Sequence, residues 1–587
     1  MKTNIPDAIV DSLTPRLKFI YPEADSQALA KQLIGIMGVP EAPDQQAEKL
    51  NYWDQNDVWM ITYGDSIVSD SEKPLATLNR FLADYTSDVL NGVHILPFFP
   101  FTSDDGFAVQ DYYAVNPELG GWTEVQSIAK SFRLMSDLVI NHCSSESEWF
   151  LQFKAGEEPG CNYFYTAPWD TDTSAVVRPR SSPLLTPVVT ENGLQHVWCT
   201  FSADQVDFDF SNPDVLAEFV NIISKQMDYG VRIFRLDAVG FLWKELGTNC
   251  MHLPQTHEII KLLRQLMHLR DPEAIIITET NVPNNENLSY LGNGNEAHAI
   301  YNFSLPPLLV HALLTGKNTY LKSWMMSMPP AQFGTFYFNF IASHDGIGLR
   351  PTEGLLSQEE IDLMLDTVKQ FGGDVSMRQI NVREGDSVMT IDKPYEMNIS
   401  LFDALQGTIS EGVDEFQTAR FIAAHAIMLS LEGVAAIYIH SLLGTENDYA
   451  KVEATGAKRS INRHQWQDEE LRTLLADESS HHHQIYQAIV KLIQIRKKHA
   501  AFHPNATQYT LHLGEGLFAF WRQSIKRNQS IFSITNITKT EQELELTELN
   551  LIPLNQWFDL ITGDEITDIS ATLTLAPYQT IWLSNQP

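Results

Sequence analysis

The sequence predicts an α/β fold, a (β/α)₈ TIM barrel with two inserted subdomains and a C-terminal antiparallel β-domain. Between residues 51 and 507, short apolar segments alternate with longer helical patterns, which is typical of βαβ units around a parallel sheet. Two stretches between such segments, 143–207 and 346–415, are too long for ordinary loops, so we expect inserted subdomains there. From residue 508 onward, short alternating strands separated by turn residues replace this pattern and predict the β-domain 508–587.

Eight apolar segments are the predicted strands of the barrel. In chain order they are VWMITY from Val58, VHILPFF from Val93, LMSDLVIN from Leu134, VRIFRLDA from Val231, AIIITET from Ala274, AIYNFS from Ala299, TFYFNFIASHD from Thr335 and GVAAIYI from Gly433. In a closed barrel of eight such units, functional residues lie at the carboxyl ends of the strands and on the loops that follow. Three acidic residues lie there: Asp237 at the end of the fourth segment, Glu279 of the fifth and Asp345 of the seventh.

Residues 1–50 are predicted to form an N-terminal helical extension. Their apolar residues recur at helical spacing in two groups that Pro22 separates. The groups are Leu13, Leu17 and Ile20, then Leu29, Leu33 and Ile36. None of these residues indicates chemistry, so we expect the function to reside in the barrel, 51–507.

The charge of the chain excludes several classes of partner. The formal net charge is −34 at pH 7, and the phosphates of nucleic acid or acidic lipid would be repelled over most of such a surface. An anionic small molecule would need local positive charge at its binding site. No uncharged apolar run approaches the ~20 residues of a membrane span, and residues 1–19 lack the pattern of a secretion signal. We expect a cytoplasmic protein, a monomer or a homodimer.

Metal ligands are not evident in the sequence. The four cysteines, Cys143, Cys161, Cys199 and Cys250, show no spacing typical of metal ligands, and free thiols are expected. The run His481–His483 has no convergent partner in the sequence, so it indicates an exposed helix start and not a zinc site. We expect neither a metal nor an organic cofactor.

One carboxylate in an apolar segment needs an explanation. Arg235 and Asp237 are two residues apart, and this spacing points both side chains to the same face of a strand. An ionised carboxylate removed from water is strongly unfavourable unless something pairs with it. Asp237 is therefore either part of a structural ion pair or used for chemistry, and these two residues alone leave both readings open.

Four short motifs carry a family resemblance. DLVINHC (137–143), FRLDAVG (234–240), ITETN (277–281) and ASHDGIG (342–348) resemble, in this order, the four signature regions of the α-amylase superfamily of glycoside hydrolases. Further segments resemble its sucrose phosphorylase subfamily, which includes enzymes acting on glucosylglycerate. They are ITYGD (61–65), GVHILPFFPFTSDDGF (92–107), RPR (178–180), QVDFD (205–209), KELGTNC (244–250), FSLPPLLVHAL (303–313) and INRH (461–464).

The chemistry of such enzymes assigns roles to the three acids. Cleaving a glycosidic bond with retention needs a carboxylate nucleophile and a carboxylic acid about 5 to 5.5 Å apart. Asp237 is the expected nucleophile, kept ionised by Arg235, and Glu279 is the expected acid and base, because burial and nearby negative charge raise a carboxyl pKa. Asp345 is expected to grip the ring hydroxyls as positive charge develops at the anomeric carbon.

The resemblance implies further contacts with one glucose unit and with phosphate. His142 and His344 would hydrogen-bond the sugar hydroxyls. The resemblance adds an Asp104–Arg463 pair that closes the pocket, an apolar wall of Phe107 and Phe201, the polar contact Gln205, the phosphate ligand Arg180 and the acceptor-loop residue Tyr395. A guanidinium fork matches phosphate geometry, which favours phosphate over water as the acceptor.

The acceptor side departs from the sucrose-specific pattern at three positions. Val177 and Phe241 stand where that pattern has tyrosine, and Glu396 stands where it has glutamine. Sucrose phosphorylase, with transglucosylation as a side activity, is the first expectation for the activity. The alternatives are phosphorolysis of glucosylglycerate or glucosylglycerol, and hydrolysis of sucrose or transglucosylation from it.

Overall fold

A parallel, closed barrel of eight strands forms the centre of the molecule, and the computed structural model describes residues 7–40, 52–384 and 387–587. The strands are β1 Val58–Thr62, β2 Gly92–Ile95, β3 Arg133–Val139, β4 Val231–Asp237, β5 Ile275–Thr278, β6 Ala299–Tyr301, β7 Phe336–Asn339 and β8 Val434–Tyr438. Each strand pairs with the next one along the chain, and β8 closes the barrel by pairing with β1. All eight predicted strands are therefore confirmed, and with them the fold class.

Helices surround the barrel and cover its strands. The longer ones are α1 Asp7–Ile20, α2 Ser26–Met37, α3 Pro74–Tyr85, α4 Trp122–Ser131, α5 Pro213–Asp228, α6 Pro254–Arg270, α7 Leu305–Thr315, α8 Gln417–Ser430 and α9 His481–Lys498. Another helix spans Gln358–Gln370, and shorter ones span Glu148–Ala155, Asn284–Leu288, Thr319–Ser327, Leu401–Ala404, Ile439–Leu442, Tyr449–Thr455 and Asp468–Ala476. Three of the barrel helices begin with proline, whose missing N–H would be unpaired there in any case.

The two N-terminal helices belong to the main core. Asp25 caps α2 by accepting hydrogen bonds from the backbone N–H groups of Gln27 and Ala28. Helix α1 packs against α6, and α2 against α5. Leu13, Leu17 and Leu33 are fully buried in the same apolar cluster as the barrel strands. The predicted extension is thus two docked helices.

Each of the two long connections carries an antiparallel hairpin. After β3, the hairpin is formed by Leu185–Thr190 and Gly193–Trp198. After β7, a longer hairpin of Asp374–Glu384 and Ser387–Asn398 also pairs with Ile347–Gly348. The connections bring Arg180 and Tyr395 to the pocket at the carboxyl ends of the barrel strands. The domain boundaries given above stay predictions.

The C-terminal residues form an antiparallel six-stranded sheet with its own apolar cluster. In sheet order its strands are Thr507–Thr510, Leu517–Gln523, Ser530–Asn536, Thr580–Ser584, Trp557–Asp559 and Glu565–Ile566. Arg522 of this sheet and Arg496 of α9 donate hydrogen bonds to the carbonyls of Ser430 and Leu429, at the end of α8. The Arg522 bond joins the sheet to the barrel, and the Arg496 bond joins α9 to α8 beside it.

Other sequence expectations concern the cysteines and the histidine run. All four cysteines are free thiols, as predicted. Each ring of the run contacts a backbone carbonyl: His481 that of Gly444, His482 that of Leu443 and His483 that of Leu475. Among the described residues, no helix has the length and apolar character needed to cross a membrane.

Candidate active site

The three predicted acids line one pocket at the carboxyl ends of the barrel strands. Asp237 is the last residue of β4, Glu279 follows β5 directly, and Asp345 lies on the loop after β7. Leu236 and Thr278 are in register on the neighbouring strands β4 and β5, so Asp237 and Glu279 are the next facing pair. Neighbouring strands are about 4.8 Å apart, and both carboxyl groups approach one guanidinium, that of Arg235.

Arg235 joins the two facing acids. Its Nη1 lies 2.6 Å from Asp237 Oδ1, and its Nη2 lies 3.9 Å from Glu279 Oε1. Behind it, Arg235 also pairs with Asp137, whose other oxygen contacts His94 Nε2 at 2.6 Å. The ion-pair reading of Asp237 is therefore correct, and because this pair faces a pocket, the catalytic reading stays open as a prediction.

The protonation of the two facing acids follows from burial and from the unequal contacts of Arg235. Burial raises the pKa of Asp237 above its ordinary value, Arg235 lowers it and Glu279 raises it. Burial likewise raises the pKa of Glu279, against the lowering by Arg235. Arg235 thus lowers the pKa of Asp237 as expected, but burial raises that pKa by more. Because Arg235 contacts Asp237 much more closely than Glu279, a proton shared by the pair resides on Glu279.

A strained backbone position orients Glu279. Ala238, directly after Asp237, has a φ of 50°, a left-handed conformation that is unfavourable for alanine. This turn aims the Ala238 N–H at Glu279, and the hydrogen bond to Oε2 is 3.1 Å long. One carboxyl oxygen of Glu279 is thereby fixed against the backbone that follows Asp237.

Asp345 is bound by an arginine that sequence reasoning missed. Arg459 Nη1 lies 2.6 Å from Asp345 Oδ1, and the same guanidinium makes two 2.8 Å hydrogen bonds to Glu396. Burial raises the pKa of Asp345, but the Arg459 guanidinium and other nearby cations lower it further, so its pKa lies below the ordinary value. Asp345 is therefore ionised. The signal that was missed is the KR pair at Lys458–Arg459, which Ser460 separates from the INRH motif.

The predicted glucose contacts lie around these acids. Phe107 stacks on His344 with ring centroids 5.0 Å apart, and burial lowers the pKa of His344 to about 3, so this ring is neutral. His142 is buried too, which lowers its pKa, and its Nε2 lies 3.0 Å from the Phe107 carbonyl. Gln205 donates a 3.2 Å hydrogen bond to Asp104. Phe201 also lines the pocket.

One predicted pair differs from the structure. Arg463 forms its ion pair with Asp105 and not with Asp104, and its Nε donates a 2.8 Å hydrogen bond to the His344 carbonyl. Asp104 and Asp105 both have left-handed φ values, 55° and 48°, so this tight turn directs Asp104 to the pocket and Asp105 to Arg463. Arg463 is 3% exposed and lies behind His344. The predicted Asp104–Arg463 pair is therefore wrong in its acidic member.

The pocket contains five arginines, and they differ in how fully carboxylates neutralise them. Two are saturated, since Arg235 contacts Asp137 and Asp237, and Arg459 contacts Asp345 and Glu396. The other three are Arg180, Arg350 and Arg378. Glu396, the residue that departs from the sucrose pattern, therefore adds no uncompensated negative charge.

The three remaining arginines are incompletely neutralised within the described part of the chain. Arg180 contacts the ring of Tyr395 at 5.2 Å and has no carboxylate partner there. Arg350 comes no closer than 4.0 Å to a carboxylate, that of Glu286. Arg378 shares one oxygen of Glu353 with Lys393. This side of the pocket is cationic in a chain of net charge −34.

Comparisons with known proteins agree with this geometry. A model of the alpha-amylase catalytic domain matches residues 84–346. A glucosylglycerate phosphorylase of Spirochaeta thermophila is 41% identical over 590 residues, which cover 98% of this chain and 98% of the relative. The chain belongs to the α-glucoside phosphorylases of the α-amylase family.

The phosphorylase has further relatives with three different named activities. It is 41% identical to a glucosylglycerate phosphorylase of Escherichia coli K12 over 91% of this chain and 92% of that one. A sucrose phosphorylase of Agrobacterium vitis is 29% identical over 76% of this chain and 89% of its own. The crystal structure of sucrose 6F-phosphate phosphorylase from Thermoanaerobacter thermosaccharolyticum superposes with a TM-score of 0.70 and 25% identity, covering 84% and 96% of the two chains. The resemblance inferred from the sequence is confirmed.

Proposed function

We propose that this enzyme is a glucosylglycerate phosphorylase, which transfers glucose from α-glucosylglycerate to phosphate and releases α-glucose 1-phosphate and glycerate. The observation that carries the proposal is the cationic side of the pocket formed by Arg180, Arg350 and Arg378. Both leaving group and incoming nucleophile are then small anions, and a local excess of guanidinium groups attracts them against the field of an acidic protein.

Two apolar replacements favour glycerate over fructose as the acceptor. Val177 and Phe241, which stand where the sucrose pattern has tyrosine, pack in one apolar cluster with Phe201 and Met251 beside the pocket. This cluster has no hydroxyl group to bind the several hydroxyls of fructose, and burying hydroxyls without hydrogen-bond partners is unfavourable. The 41% and 40% identities to glucosylglycerate phosphorylases support the same choice.

In the first step of the mechanism, Asp237 attacks the anomeric carbon. Oδ1 of Asp237 is held by Arg235, so Oδ2 forms the bond to C1 while the bond from C1 to the glycerate oxygen breaks. Glu279 donates its proton to that oxygen, and glycerate leaves. Ionised Asp345 stabilises the positive charge that develops on the ring.

In the second step phosphate replaces glycerate on the cationic side. An oxygen of phosphate attacks C1 of the glucosyl ester, the bond to Asp237 breaks, and Glu279 takes up the phosphate proton. Two inversions give net retention, so the product is α-glucose 1-phosphate. Arg180 is the proposed phosphate ligand, with Tyr395 stacked beneath it.

The test compares three glucosides under phosphorolysis. Glucosylglycerate, glucosylglycerol and sucrose are each incubated with inorganic phosphate, and glucose 1-phosphate and free glucose are measured. We expect a kcat/KM for glucosylglycerate that exceeds both others by roughly 100-fold. An equal or larger kcat/KM for sucrose or glucosylglycerol would refute the proposed acceptor, and free glucose as the main product would refute phosphorolysis.

A further inference from the structure

Arg350 has an unusual environment for a buried cation. Its side chain is 14% exposed and lines the pocket with Glu279 and Asp345. Within the described part of the chain, its guanidinium lies no closer than 4.0 Å to any carboxylate, and the nearest one, on Glu286, is itself 40% exposed and contacts His252. Burying a guanidinium with so little compensation is unfavourable. An anion in the pocket would supply the missing partner.

The residues around Arg350 leave its positive charge poorly compensated. Burial and the nearby Arg378 lower the pKa of Arg350, and the carboxylates of Glu286 and Glu353, which raise it, do not offset this lowering. Arg378 is 9% exposed on its side chain, and the Glu353 carboxylate that it contacts at 2.7 Å also serves Lys393 at 2.8 Å. Arg378 and Lys393 thus share one close carboxylate, and Arg350 makes no close contact with it.

Arg350 also differs from Arg180 in how it is supported. It begins a short helical turn, Arg350–Thr352, whose other two residues are buried, five residues after Asp345. Arg180 lies on the long connection between β3 and β4 and is supported by the Tyr395 ring. A cation on a rigid support discriminates well between charged and neutral ligands, because a neutral ligand leaves it unpaired.

The chemistry of glycerate matches this position. Its carboxylate lies within two carbons of whichever hydroxyl carries the glucose, so it stays close to the glycosidic oxygen that Glu279 protonates. A planar guanidinium binds a carboxylate through two parallel hydrogen bonds. We propose that Arg350, backed by Arg378, binds the carboxylate of the acceptor and determines the preference for glycerate over neutral alcohols; this assignment rests on the proposed function above.

The experiment measures acceptor choice on a single intermediate. α-Glucosyl fluoride loads Asp237 without an anionic leaving group other than fluoride, and the glucosyl-enzyme is then offered equimolar glycerate, glycerol and phosphate. The products glucosylglycerate, glucosylglycerol and glucose 1-phosphate are quantified, and fluoride release checks that the loading step is intact. Glycerol is the matched neutral acceptor because it has the same carbon skeleton.

Three variants separate the contributions. Arg350→Gln should lower the ratio of glycerate to glycerol products roughly 100-fold while changing the phosphate to glycerol ratio by less than about threefold. Arg180→Gln should do the reverse. Lys393→Gln removes an equal charge from a residue that shares Glu353 but does not line the pocket, and it should leave both ratios within about twofold.

The outcomes distinguish this assignment from the proposed function. If the wild-type enzyme makes no glucosylglycerate, the proposed function fails. If it does and Arg350→Gln keeps the glycerate preference, or loses glycerate and phosphate equally, the assignment of Arg350 fails and the function stands. Should Arg350→Gln not fold, Arg350→Lys retains the charge without the fork, and an unchanged glycerate to glycerol ratio in that variant would overturn the assignment too.

Discussion

At the scale of residues, three acids of one pocket differ in how closely an arginine contacts them. Asp237 lies at 2.6 Å from Arg235, Glu279 at 3.9 Å from the same guanidinium, and Asp345 at 2.6 Å from Arg459. Contact with a cation favours the ionised form, and burial without contact favours the neutral form. These contacts support the proposed role of Glu279 as the proton donor.

Glu279→Gln is expected to remove the alkaline decline of activity. Burial raises the pKa of Glu279, and only its protonated form donates, so kcat/KM of the wild-type enzyme falls as pH rises through that pKa. With glutamine, the decline should vanish and kcat/KM for glucosylglycerate should drop about 10³-fold, or about 4 kcal/mol. Glucose 1-phosphate release between pH 5 and 9 measures both effects.

α-Glucosyl fluoride is the control for this variant, because fluoride leaves without a proton. Its release in the first turnover should be slowed far less than release of glycerate. Equal losses with both substrates, or an alkaline decline that persists in the glutamine variant, would show that another group donates the proton.

The acids were predictable from the sequence because motifs at strand ends mark them, whereas three of the arginines were not. Arg350 and Arg378 reach the pocket from the segment 346–415, and Arg459 from the connection after β8, and no periodicity reports how such segments fold over the pocket. The sequence also did not reveal that Arg463 pairs with Asp105 and not with Asp104. This pairing depends on the left-handed backbone of two adjacent aspartates, which side-chain identity does not reveal.

At the scale of elements, the burial of a strand or helix determines how well the sequence predicts it. Strands of a parallel barrel are buried on both faces and read as short apolar runs, so all eight could be predicted. The hairpin of Asp374–Glu384 and Ser387–Asn398 leaves Met377 and Met389 half exposed, so its sequence lacks the alternation that marks a half-buried strand. Helical spacing predicted α1 and α2, but their docking depends on the surfaces of α5 and α6.

Leu17→Ala is expected to destabilise the enzyme without impairing catalysis. Leu17 is fully buried in the main core through the contact of α1 with α6, and truncating a buried leucine costs about 2–5 kcal/mol. Calorimetry should show a Tm lower by several degrees, with kcat at 25 °C unchanged. Lys18→Ala, on the exposed side of the same helix, is the matched control. Equal Tm values for the two variants would mean that α1 does not contribute to the core.

At the scale of the whole molecule, a strongly acidic protein surrounds a pocket that has one cationic side. The net charge of −34 opposes compaction through self-repulsion, while Arg180, Arg350 and Arg378 provide the local positive potential that small anions require. The net charge of the protein and the charge on this side of the pocket thus have opposite signs. The first affects the stability of the fold, and the second affects the binding of anions.

Added salt is expected to stabilise the fold. Screening shortens the reach of repulsion from about 30 Å at 0.01 M ionic strength to a few ångströms near 1 M, so the Tm should rise by several degrees between 10 and 500 mM NaCl, and equally in KCl. Differential scanning calorimetry measures this shift. A Tm that falls with salt would indicate that attractive ion pairs outweigh the net repulsion.

The acids and the cations of the pocket also come from different parts of the chain. The proposed catalytic acids lie at the ends of barrel strands or on the loop that follows, while Arg180, Arg350 and Arg378 come from the two long connections. A library confined to Arg180, Arg350 and their surroundings would therefore alter which small organic acid is glucosylated and leave the bond-forming chemistry alone. Such a scaffold lends itself to biocatalytic production of unnatural glucosides from an inexpensive activated sugar.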